Sequence, residues 1–186
     1  MSHPQSYGRL LARINGLSGR GFRRWLFLPG MGFLATEKWW GGGGQRSRPH
    51  EGVDFCLYED QAGHPDGLAA GCMIPAAHDG RVVSIHDDFL GQTVWLRHGQ
   101  PDGDGRCLHT AYGHLVPASG LAVGATVAVG AVVGAVADPA SRTLKISPHL
   151  HFTVARIVCC PAVPRLDWSL VHDLRVVQLL DPLAFF

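Results

Sequence analysis

The sequence predicts a mainly antiparallel β protein preceded by one short N-terminal helix. Three observations lead there. Gly (24) and Pro (12) are frequent among the 186 residues, which favours short strands and turns over long helices. Apolar residues alternate with period two in several short runs, the mark of strands with one buried face. The turn formers "DG" (79–80) and "PDGDG" (101–105) fall between those runs.

In chain order, residues 5–20 read as a helix, with Leu10, Leu11, Ile14 and Leu17 at helical spacing and Gly19 as its stop. Residues 21–49 form an aromatic, glycine-rich lead-in ending "EKWWGGGGQRSRP", where four glycines predict a loop or hinge. Strands are expected at 53–58, 81–86, 92–97, 107–115, 121–123, 126–129, 131–137 and 150–156. The aromatic and aliphatic tail should close over the sheet. This divides the chain into a lead-in (1–49), a central domain (50–160) and a closing segment (161–186), within a length that suits one core.

Composition excludes several classes. A net charge of +1 leaves no electrostatic footprint for nucleic acid. Five cysteines without C-x-x-C spacing argue against a cysteine zinc site or a disulfide framework, so buried free thiols are expected. The stretch "RRWLFLPGMGFLA" (23–35) imitates an export signal, but Pro29 and Gly30 interrupt it and no small-residue cleavage site follows. The uncharged run 121–137 falls short of the roughly twenty residues a membrane span needs, and Gly124, Gly130 and Gly134 break it into strands. No integral membrane segment is expected.

Eleven histidines are many for this length, and two of them sit one residue apart in "SPHLHFTV" (147–154). On a strand, Leu150, Phe152 and Val154 take one face, and His149, His151 and Thr153 the other. Two ring nitrogens held side by side suit a metal, a proton relay, or one of each. In "HEGVDFCLY" (50–58) the alternation sets His50, Gly52 and Asp54 opposite Val53 and Phe55, with Gly52 leaving room for a metal between two ligands. One imidazole from the H-x-H pair would complete three protein ligands, the number typical of catalytic zinc. In "HTAYGHL" (109–115), Tyr112 and His114 should share a face. His98 should support a turn and His78 should be exposed, whereas His3, His64, His86, His109 and His172 follow no partner pattern.

Taken together, "HEGVDF", "TAYGHL", the glycine-punctuated "GLAVGATVAVGAVVGAV" and "PHLHFTV" resemble the lysostaphin/LytM-type zinc metallopeptidases of family M23. The resemblance spans about residues 50–155. It implies a compact, duplicated-hybrid-motif-like antiparallel sheet with a groove across it. It also implies one Zn2+ held by His50, Asp54 and His151, with His149 and His114 as catalytic histidines. The implied activity is cleavage of peptide bonds in peptidoglycan cross-links or stem peptides, in the cell envelope or outside the cell. Two departures stand out: Thr153 where the family often has Glu, and "TLKIS" where a Gly-rich turn often precedes H-x-H. Some relatives keep the domain but only bind peptidoglycan or activate other hydrolases, which makes a non-catalytic module the alternative. A biotinyl or lipoyl carrier fits poorly, because neither Lys38 nor Lys145 lies in a suitable hairpin. The lead-in, with Trp39 and Trp40 just before His50, is expected either to border and cover the groove or to pack on the sheet edge.

Overall fold

The computed structural model describes residues 7–141, 145–159 and 166–185. Helix α1 (Tyr7–Ile14) is followed by β1 (Phe22–Leu26), β2 (Val53–Phe55), β3 (Leu57–Asp60), β4 (Pro65–Gly67), β5 (Met73–Pro75) and β6 (Gly80–Asp87). Then come β7 (Gln92–His98), β8 (Arg106–Pro117), β9 (Thr126–Val127), β10 (Val132–Val136), β11 (Leu150–Val158), β12 (Val177–Leu180) and α2 (Pro182–Phe185). Among the described residues every ladder is antiparallel. The main sheet runs β12-β11-β8-β7-β6-β9, and a small sheet runs β1-β3-β4.

Strand β11 organises the main sheet. One edge carries β8 along most of its length; the other carries β2 and then β12. Its alternation is the one the sequence predicts. Leu150, Phe152 and Val154 enter the main core with Val53, Phe55 and Tyr112, while His151 and Thr153 face away. Helix α1 belongs to the same core: the Tyr7 ring stacks on Phe152 at 4.2 Å and its hydroxyl donates to the Pro75 carbonyl. The helix is shorter than expected because the chain turns left-handed at Gly16 (φ 63°) into a 3-10 turn at Leu17–Arg20.

Several expectations change. Residues 121–123 form no strand, and the strand expected at 126–129 shortens to Thr126–Val127, because turns at Gly124 and Gly130, both with positive φ, take up the residues between. The export-signal imitation at 23–35 begins inside β1, whose Trp25 and Leu26 pair with β3. Among the described residues no helix is long and apolar enough to cross a membrane. The cysteine expectation is wrong in one respect: Cys107 and Cys159 form a disulfide, while Cys56 and Cys72 are free thiols. Cys107 in β8 lies opposite Ile157 near the end of β11, which brings the two sulfurs together. Residues 166–180 cover the other face of the sheet, where Trp168 and Val171 pack with Trp95, Ala111 and Ile157.

Several histidines also gain partners. His98 donates from Nδ1 to the Asp79 carbonyl and meets the Thr110 hydroxyl at 2.8 Å. His172, expected to lack a partner, lies 3.1 Å from the Glu51 carboxylate. His78 is exposed, as expected. His109 is buried on β8 and donates to the Cys107 carbonyl. Burial lowers its pKa to about 4, against about 6.5 in an unfolded chain. Between these values the unfolded state takes up the proton first, so stability falls as pH drops from about 6.5 to about 4, by up to about 3 kcal/mol. Urea midpoints measured across that window should decline, and His109→Gln should flatten the decline. An unchanged slope in the variant would remove His109 as its source.

Candidate metal centre

Two strand registers assemble the centre. His151 lies opposite Asp54 of β2 on one side and Gly113 of β8 on the other. Backbone clearance makes this possible. A Cβ at Gly52 would fall 2.2 Å from the Phe152 carbonyl oxygen, so glycine there lets the chain entering β2 close on β11. That differs from the expected role of leaving space for an ion.

His50 Nε2, Asp54 Oδ1 and His151 Nδ1 converge with mutual distances of 3.0–3.1 Å. All three residues are buried, and together they could hold a metal ion. Donors bound at about 2.0–2.1 Å around a tetrahedral zinc would lie roughly 3.3–3.4 Å apart, close to this spacing. The hydrogen bonds on the far side of each ring explain the convergence. His50 donates from Nδ1 to the Gly32 carbonyl, 2.9 Å away, which turns its Nε2 lone pair inward. His151 Nε2 meets the Thr153 hydroxyl at 2.9 Å, which leaves Nδ1 inward. Two ring nitrogens and a carboxylate oxygen meeting at one point form a set that could hold a cation between them. Thr153, the departure from the family pattern, is therefore the partner that orients His151.

The other two histidines line the same cavity, of about 300 Å³, along with Trp40, Phe89 and Trp168. His149 donates from Nδ1 to the Ser147 carbonyl, and its Nε2 stands 4.0 Å from Asp54 Oδ1. Burial lowers the pKa of His151 and takes His149 down to about 4. Near pH 7 both rings are therefore neutral, the form that offers a lone pair. Burial alone would raise Asp54, but the surrounding His151, His50 and His149 rings outweigh it and hold the carboxylate well below its usual range.

His114 reaches the groove by a route that alternation does not predict. Tyr112 points into the core, so strict alternation would carry His114 there with it. Instead Gln92 and Val94 of β7 face Leu115 and Tyr112 of β8, an extra residue on β8. This bulge turns His114 into a left-handed conformation, φ 65°. Bulges of this kind re-aim side chains beside functional sites. The ring ends 4.8 Å from His149 and 5.9 Å from His151, centroid to centroid.

Asp88, which sequence reasoning missed, holds this geometry. Its Oδ1 accepts from His114 Nδ1 and from the backbone N–H of Leu90 and Gly91. Its Oδ2 accepts from the His114 backbone N–H and the Thr93 hydroxyl. Burial pushes this carboxyl up, and its bonds with His114 more than reverse the effect, so it remains ionised. A signal existed in "DDFLG" (87–91), where an Asp opens a tight turn, but its reach to residue 114 is tertiary.

Three converging donor atoms on an antiparallel sheet, with two further imidazoles beside them, form a group that could hold one metal ion. Residues 48–159 match the model of peptidase family M23, and the chain belongs to this family. Among solved structures it is similar to lysostaphin, at 21% identity and a TM-score of 0.51, over 100% of this chain and 54% of that one. It thus spans about half the length of lysostaphin, and the likeness is one of fold. It is also similar to the catalytic domain of the prophage-encoded M23 protein EnpA from Enterococcus faecalis, at 21% identity and a TM-score of 0.44, over 75% of this chain and 80% of that one. No curated protein matches the chain.

Asp88→Asn sets an amide against hydrogen-bond donors that the carboxylate now accepts. The substitution should lower unfolding free energy by about 2–3 kcal/mol, as expected when buried donors lose their partners. Urea denaturation measures this, and a loss below about 0.5 kcal/mol would mean that Asp88 does not clamp the bulge.

Proposed function

We propose that this protein is a zinc metalloendopeptidase that cleaves peptide bonds in peptidoglycan cross-links or stem peptides. The observation that carries the reading is the buried convergence of His50, Asp54 and His151, each ring oriented by a separate acceptor, beside the two further imidazoles of His149 and His114. Family membership supports the reaction class.

His50 Nε2, Asp54 Oδ1 and His151 Nδ1 would hold the ion. Zinc there supplies Lewis acidity, polarising a carbonyl and bringing the pKa of water to about 7. His149, neutral and with Nε2 turned inward, accepts the proton of the attacking water and returns it to the leaving amine. His114, tied through Nδ1 to Asp88, presents its other nitrogen to the groove. In its protonated form it donates to the oxygen on which charge develops. Residues around Trp168 and Phe89 narrow the site and limit water around the reacting groups.

The purified protein should contain one zinc per chain by elemental analysis and digest peptidoglycan in a chelator-sensitive, zinc-restored manner. His149→Ala should keep the metal and lower hydrolysis about 10²–10⁴-fold, the range for loss of a general base. His151→Ala should lose both. Equal zinc loss in the two variants would reverse the roles within the H-x-H pair. Zinc-loaded protein that binds peptidoglycan without cutting it would favour the non-catalytic module.

A further inference from the structure

The lead-in lies against the metal centre rather than on a sheet edge. It folds as a loop with its own bracing: Leu34 and His50 exchange backbone hydrogen bonds with His50 and Ala35 in turn, and Asp54 N–H reaches the Met31 carbonyl. Glu37 and Gln45 form an antiparallel bridge across the four glycines. Gly41, Gly42, Gly43 and Gly44 all have positive φ, so the run expected to be a hinge is a defined left-handed tip. Gly41 N–H also donates to the carbonyl of Lys145, on the segment that leads to the H-x-H pair.

This bracing delivers Trp39 to Asp54. The indole Nε1–H donates to Asp54 Oδ2 over 2.7 Å, while Oδ1 faces His50 and His151. The Trp39 ring also meets the His149 ring edge-on, with centroids 5.1 Å apart. Arg46 stands 3.6 Å from the same Oδ2, held by the carbonyls of Gly30 and Glu37 and stacked on Trp40 at 4.5 Å. The two oxygens of one carboxylate are thus divided between the ligand cluster and the lead-in.

We propose that Trp39 is a positioning residue of the metal centre, whose indole N–H occupies Asp54 Oδ2 and so restricts the carboxylate to one-oxygen coordination through Oδ1. The proposal rests on the metalloenzyme reading above and extends the centre to a residue outside the region that matches the family. A free carboxylate can bind through one oxygen or both, and the choice sets how many positions remain for water and substrate. Hydrogen bonds to ligating carboxylates typically govern metal affinity by 10–100-fold. Arg46 adds charge at the same oxygen but at a longer distance, so the directional restraint comes from the indole.

The test compares wild type, Trp39→Phe and Thr36→Ala for zinc affinity by competition with a chromophoric chelator, and for the visible spectrum of the cobalt-substituted forms. Phe keeps an aromatic side chain at this position and removes the donor along with part of the indole's bulk, so the cobalt spectrum separates lost donation from lost packing. Trp39→Phe should bind zinc about tenfold more weakly. Its cobalt absorption should fall in intensity, as four-coordinate geometry gives way to five when the second oxygen binds. Thr36→Ala, at an exposed position of the same loop, should stay within about twofold of wild type with an unaltered spectrum. Wild-type zinc affinity and cobalt spectrum in a folded Trp39→Phe would overturn the proposal. Weakened affinity with an unaltered cobalt spectrum would also overturn it, because general loosening of the loop would explain that result. Wild-type protein that binds neither metal would instead overturn the metalloenzyme reading itself.

Discussion

The centre depends on the register of β11 between β2 and β8. With His151 opposite Asp54 on one edge and Gly113 on the other, two residues 97 positions apart in sequence come within 3.0 Å. A one-residue slip would send His151 into the core and Phe152 into the groove. The slip is opposed by the stack of Tyr7, Phe152 and Tyr112, whose rings fill the core directly behind the ligands. Core packing and ligand placement are therefore one constraint seen from the two faces of a strand.

The histidines around the groove share a second organising feature. His50, His149, His151 and His114 each spend one ring nitrogen on a separate fixed partner: the Gly32 carbonyl, the Ser147 carbonyl, the Thr153 hydroxyl and the Asp88 carboxylate. The partners come from the lead-in, the approach to β11, β11 itself and the β6–β7 turn. Orientation is thus distributed over the fold, and little rearrangement is left for the moment when a ligand arrives.

Much of this was legible in the sequence, and the limits follow from physics. Period-two alternation placed Leu150, Phe152 and Val154 inside and His151 and Thr153 outside, because that periodicity is local. The same rule failed at His114, where an extra residue relative to β7 creates the bulge, a relation that β8 alone does not encode. Asp88 escaped notice, and Trp39 was read as an anchor of the lead-in with no partner named, because their partners lie 26 and 15 residues away and depend on loop paths. The Cys107–Cys159 pair escaped for a similar reason: 52 residues separate them, and only the β8–β11 register makes them neighbours. Thr153 was seen only as a departure, yet its position two residues along the same strand face is what lets it touch His151.

The late position of β11 has a consequence for the newborn chain. His50 and Asp54 leave the ribosome about a hundred residues before His151, and β2 cannot meet β11 until that strand has been made. At about 5–20 residues per second, the first two ligands wait for roughly 5–20 s without the third. Vectorial synthesis thus withholds the cluster until β11 has been made, so a chain stopped before His151 carries only two of its three members.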